Sequence, residues 1–147
     1  MEKRLDYTKL WLNEVKSLLK PNEIPEIVMS GTSPQVLDVS LNVSDYHLLM
    51  LNHFEDDWPR YQHDKGIMVC AAIVIRDTVE EAEEFTDLIS SLQNPEFKKW
   101  TIFGTEEDVL KRLNFLENIG ATDILIRFHP NDPERNRVHE FVKKYNS

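Results

Sequence analysis

The chain has 147 residues, of which 41% are hydrophobic, enough for one substantial core and without the sequence bias of a disordered protein. Asp and Glu outnumber Lys and Arg by 26 to 17, a formal charge of −9 that would repel nucleic-acid phosphates and anionic membranes, so neither is expected as a partner. No apolar segment follows Met1-Glu2-Lys3-Arg4-Leu5-Asp6, and the longest apolar run, Ile67 to Ile75, is about half the length of a bilayer-spanning helix. A cytoplasmic chain without a membrane anchor is the expectation.

Leu5, Leu12, Val15, Leu18, Leu19 and Trp11 fall on one face of a helix that Pro21 stops. Glu26 to Met29 reads as a short strand running into Ser30-Gly31-Thr32-Ser33-Pro34, where Ser33 is a good N-cap and Pro34 suits the first helical position of a helix reaching about Asn42. Asp45 to Leu51 is a second strand, apolar almost throughout, as where both faces are covered. From Asn52 to Lys65 the sequence is polar and helix-poor, and Ile67 to Ile75 then forms a third strand with Cys70 inside it as a small core residue. Thr78-Val79-Glu80-Glu81 opens a helix to about Leu92, whose first-turn carboxylates form a solvated face. After an irregular stretch at Asn94-Pro95, Gly104-Thr105-Glu106-Glu107-Asp108 caps another helix that Gly120 ends. Asp123 to Phe128 is the fourth strand, and Asp132-Pro133 starts a last helix.

Four short apolar strands separated mostly by helices predict an α/β fold with about four mostly parallel strands and right-handed crossovers. Neither a Gly-rich dinucleotide fingerprint nor a Walker phosphate loop is present, and His47, His53, His63 and His139 have no metal-ligand spacing, so no metal is expected.

Several ordered segments resemble the bacterial luciferase-like monooxygenase family of flavin- and deazaflavin-dependent oxidoreductases. Pro25 to Pro34 is similar to that family's strand five and the small-residue loop after it, and Asp45-Tyr46-His47-Leu48-Leu49 to the next strand. Ile73 to Ala82 resembles its seventh strand and following helix, Trp100 to Val109 its most recognisable late segment, and Gly120 to Phe128 its eighth strand. The resemblance implies a single domain over residues 1–147 folded as the C-terminal half of a (β/α)8 TIM barrel, with no counterpart of the family's first four strands before Met1. It also implies FMN or a deazaflavin as cofactor, held at the strand-exit face where that family places flavin.

Ser30, Gly31, Thr32 and Ser33 are the candidate cofactor-phosphate residues. Glycine permits close backbone approach, the hydroxyls donate, and the following helix start is partly positive. The competing reading is an ordinary helix start with a turn at Gly31. Arg127 and His129, at the outgoing end of the fourth strand, are possible active-face residues; the alternatives are a salt-bridged arginine and a loop histidine. A half-barrel leaves two sheet edges and an apolar inner face bare. These call for a homodimer, a complementing half-barrel chain, or Trp11, Trp58 and Phe54 folded over the open side. The function expected is an oxidoreductase component active only when completed; the alternative is a non-catalytic binding or assembly module.

Overall fold

A computed structural model describes residues 2–147. In chain order the elements are α1 (Glu2–Leu18), β1 (Val28–Ser30), α2 (Pro34–Val43), β2 (Tyr46–Met50), α3 (Leu51–Asp56), β3 (Gly66–Ile75), α4 (Val79–Leu92), β4 (Thr101–Gly104), α5 (Glu106–Asn118), β5 (Asp123–Arg127) and α6 (Arg135–Tyr145). Every strand pairing is parallel, and β3 is the hub: it pairs with β2 over Gly66 to Cys70, with β5 over Met68 to Ala72 and with β4 over Ala72 to Ile75, while β1 joins the outer edge of β2. The result is the parallel α/β sheet that the strand pattern predicts, in the partial TIM-barrel-like form that the resemblance implies.

Two elements differ from expectation. A fifth strand, β4, lies in Trp100-Thr101-Ile102-Phe103-Gly104, a segment too short and too mixed to show a period; it becomes extended because the exit end of β3 offers it a ladder. The supposedly helix-poor segment holds α3 and a 3-10 turn at Trp58–Tyr61, ordered by the burial of Leu51, Phe54 and Tyr61. Tertiary contacts, not local propensity, set both.

The register separates the two sheet faces. On one, Leu49 of β2 aligns with Val69 of β3 and Ile124 of β5, followed by Ala71 beside Ile126. This outer face is packed by Leu51 and Phe54 of α3, by Val109, Leu113 and Leu116 of α5, and by Val138 and Phe141 of α6. The other face aligns Ser30, Leu48, Met68 and Asp123, then Met50, Cys70 and Leu125. Only its exit end is covered, where Ala72 and Val74 meet Ala82, Ile89 and Phe97. Further down, Val28 is 44% and Leu125 46% exposed. Cys70 is buried as expected, and burial pushes its thiol pKa up against the opposing influence of Arg127.

The expected aromatic cover does not form. Phe54 is fully buried in the outer-face core, Trp11 is 61% exposed on α1, which packs against α2, and Trp58 sits exposed in its 3-10 turn. Trp11 and Leu18 therefore lie off the packed face of α1.

Helix starts follow the sequence closely. Ser33 Oγ accepts from Val36 N–H at 3.2 Å, Thr78 Oγ1 from Glu81 N–H at 3.2 Å, and Thr105 with Asp108 forms a reciprocal capping box. Gly104 (φ +148°) serves that box directly, because a Cβ there would lie 2.8 Å from Asp108 Cβ. Asp132 behaves differently from expectation: α6 begins at Arg135, and the Asp132 carboxylate is buried against Arg76 (Nη2 to Oδ1, 2.8 Å). The Arg76 guanidinium also lies over the Phe85 ring, 4.4 Å from its centroid. A single side chain at the end of β3 thus fastens α4 on the inner side to the approach to α6.

Candidate functional site

β1 delivers the chain to the strand-exit end of the sheet, where Ser30 to Ser33 turns into α2. Gly31 has φ +149°, and a Cβ would lie 2.7 Å from Val36 Cγ1, so the loop needs glycine for both its conformation and its approach to the helix. Its carbonyl accepts a 2.9 Å hydrogen bond from His47 Nε2. Since a carbonyl only accepts, the His47 proton is on Nε2 and Nδ1 accepts from Ser40 Oγ at 2.8 Å. His47 is completely buried, and burial holds its pKa below the ordinary histidine value although the Gly31 carbonyl pulls the other way.

A second support comes from the polar stretch between β2 and β3. Arg60 Nη2 donates to Thr32 O at 3.0 Å, bringing a guanidinium to the loop, while its other nitrogen stands 4.0 Å from Asp57. The first turn of α2 has few donors to spare: Pro34 has no N–H, Val36 N–H is taken by Ser33 Oγ, and Leu37 N–H goes to Ser33 O at 3.0 Å. Gln35 N–H has no acceptor among the described residues. An anion here would meet that N–H, the exposed hydroxyls of Ser30 and Thr32, and Arg60, while Ser33 is committed to its cap. These groups suit a phosphate.

Neither His47 nor Arg60 stands out in the sequence as part of this site. His47 has no metal-ligand spacing with the other histidines and lies inside an apolar strand, and Arg60 lies in a stretch without periodicity.

Arg127 and His129 come together at the exit end of β5. They border a cavity of about 220 Å³ whose wall includes Ala72, Gln93, Phe97 and Trp100. The Arg127 guanidinium lies 5.3 Å from the centroid of Trp100, and the His129 ring meets Phe97 edge-on at 5.5 Å. Asn131 N–H donates to His129 Nδ1 at 3.3 Å, which leaves the proton on Nε2, facing Gln93 Oε1 at 3.1 Å. By register Arg127 shares the inner face with Ser30 but lies further toward the strand exits, beside Ala72.

Two further histidines make structural contacts. His139 stacks on Phe128 with centroids 4.0 Å apart, and His63 Nδ1 accepts from Lys65 N–H at 3.0 Å, burial lowering its pKa. Among the described residues no three His, Cys, Asp or Glu side chains group so as to hold a metal, and no helix is long and apolar enough to cross a membrane.

The sequence matches no described protein family and no curated protein. Solved structures do match the fold. EDTA monooxygenase from Chelativorans sp. BNC1 aligns with TM-score 0.63 at 12% identity, over 87% of this chain and 46% of that enzyme. The coenzyme F420-dependent tetrahydromethanopterin reductase of Methanopyrus kandleri aligns with TM-score 0.54 at 13% identity, covering 78% of this chain and 48% of the reductase. A type II Baeyer-Villiger monooxygenase, the oxygenating constituent of 3,6-diketocamphane monooxygenase from the CAM plasmid of Pseudomonas putida, solved in complex with FMN, aligns with TM-score 0.50 at 13% identity over 83% and 46%. The chain spans about half the length of the solved structures it matches. Its fold is shared with part of each of these three enzymes.

Proposed function

We propose that this chain binds the phosphate-bearing tail of FMN or a deazaflavin at Ser30, Gly31, Thr32 and Ser33 and acts as a component of a luciferase-like oxidoreductase. The observation that carries the reading is the guanidinium of Arg60 held against Thr32 O at 3.0 Å, beside a glycine-bearing loop at a helix start on the strand-exit side of a parallel sheet. When bound, the cofactor supplies the redox chemistry. The chain's own part is to fix the phosphate: His47 holds the Gly31 carbonyl, Ser33 caps α2, and Arg60 supplies the positive charge.

Activity requires the inner face to be closed, since Val28 and Leu125 are open to water there and a redox site gains from excluding it. The unit proposed is a homodimer of half-barrels or a barrel completed by a complementing chain, in the cytoplasm. The bare inner face equally favours a second reading, an assembly module that keeps the fold without the chemistry.

Titration of the purified chain with FMN and with riboflavin, which lacks the phosphate, separates these readings. Size-exclusion chromatography with visible absorbance reports association and retained flavin together. FMN is expected to bind at least tenfold tighter than riboflavin, with Arg60→Ala abolishing the difference. Equal affinities would remove the phosphate site, and no affinity for FMN or a deazaflavin by a stable oligomer would leave the assembly module.

A further inference from the structure

We infer that the cavity beside Arg127 is a binding site for a small aromatic carboxylate. Its charge sets it apart from the rest of the molecule. The chain carries 26 acidic side chains, yet no Asp or Glu lines this cavity and its one formal charge is the Arg127 guanidinium, which makes no ion pair among the described residues. A cationic site in an acidic protein selects anions, and a planar guanidinium fork matches a carboxylate with two parallel hydrogen bonds.

The neighbouring polar groups reinforce that choice. Because His129 Nδ1 is occupied as an acceptor from Asn131, its Nε2–H donates to Gln93 Oε1, and the carboxamide is oriented with its NH2 as the free end. That NH2 has no acceptor among the described residues, and since Gln93 lines the same cavity as Arg127 it adds a second donor to the lining. Histidine acts here as a positioning residue, setting which end of Gln93 is available.

The remaining wall is apolar and aromatic. Ala72, Ile89 and Phe97 form the buried side, and Phe97 and Trp100 meet edge to face with centroids 4.9 Å apart. Such a wall receives a flat hydrocarbon body, and the volume of about 220 Å³ lies below the ~300–1,000 Å³ usual for drug-sized ligands, which limits the body to about one ring. This assignment stands apart from the flavin reading, since it concerns a different cavity and its measurement needs no cofactor.

The test uses the full chain, free of flavin, with benzoate as probe, benzamide as the neutral analogue and inorganic phosphate as the anion without a ring. Binding is followed by 1H–15N NMR at the Trp100 indole N–H, assigned with Trp100→Phe. Benzoate is expected to shift that resonance saturably and to bind at least tenfold more tightly than either control. Arg127→Gln should reduce benzoate affinity about tenfold and leave benzamide unchanged, Arg127→Lys should restore part of it, and Gln93→Leu should cost less. Equal binding of benzoate and benzamide, equal competition by phosphate, or no saturable shift at Trp100 would overturn the assignment. If Arg127→Gln does not fold, the benzoate-to-benzamide ratio of the unaltered chain and its decline with added salt decide the matter alone.

Discussion

The two faces of the sheet are made by alternate residues of the same strands, yet they are finished differently. Leu49, Val69 and Ile73 on the outer face are sealed by helices α3, α5 and α6, whereas Leu125 and Val28 on the inner face stay open and burial there is confined to Cys70, Ala72 and Val74 of β3 among the apolar strand residues named. Parallel sheets are normally covered on both faces. The outer face is therefore where the chain secures its stability, and the inner face, with the two candidate binding regions at its exit end, is where it has surface left to use.

The largest test of this contrast is the clasp that joins the layers. Asp132→Ala would leave the Arg76 guanidinium, whose side chain is 7% exposed, with Glu134 at 3.4 Å as its remaining carboxylate, and should cost an amount toward the lower end of about 3–5 kcal/mol in chemical denaturation. Next comes a matched pair of truncations. Leu49→Ala on the sealed face is expected to cost about 2–5 kcal/mol, and Leu125→Ala on the open face about 0.5 kcal/mol. Similar losses at the two positions would mean that the inner face is covered in solution, and repeating the pair across protein concentrations would tell a second copy from an intramolecular cover.

Smaller effects probe the helix starts that the outer layer depends on. Thr105→Ala removes one arm of the capping box and should cost about 1 kcal/mol. His47 adds a pH dependence. Its folded pKa lies below the unfolded value near 6.5, so the fold favours the neutral ring; its stabilising contribution is complete above that value and is lost as pH falls through the folded pKa. His47→Gln should flatten the stability profile on the acid side of neutrality, and a profile unchanged by the substitution would contradict the buried neutral ring.

Much of this fold was legible because its signals are local. The Ser33-Pro34, Thr78 and Thr105-Asp108 starts are set by side chains bonding within a turn, and β3 declares itself by an unbroken apolar run. β4 and α3 were hidden, since their conformation is imposed by β3 and by the burial of Phe54 and Tyr61. Asp132 reads as a helix start until Arg76, distant in sequence, claims it. The candidate loop was visible as Ser30-Gly31-Thr32-Ser33, but its props were not: His47 reaches Gly31 from the next strand, and Arg60 reaches Thr32 from the 3-10 turn beyond α3. The cavity wall around Arg127 is likewise assembled from segments on either side of β4.

The short outermost strands bear on what kind of assembly this chain can enter. The bare edge of β1 offers only the three residues Val28 to Ser30, with Pro25 upstream and Gly31 immediately after; that of β5 offers five, beginning and ending on the charged Asp123 and Arg127. A molecule adding to either edge alone finds too short a ladder to hold it, which disfavours the one-sided stacking from which fibres grow. A partner that engages both edges at once adds the two ladders together, and such an arrangement closes on itself. The brevity of two strands thus biases the chain against endless polymers and toward assemblies of fixed size.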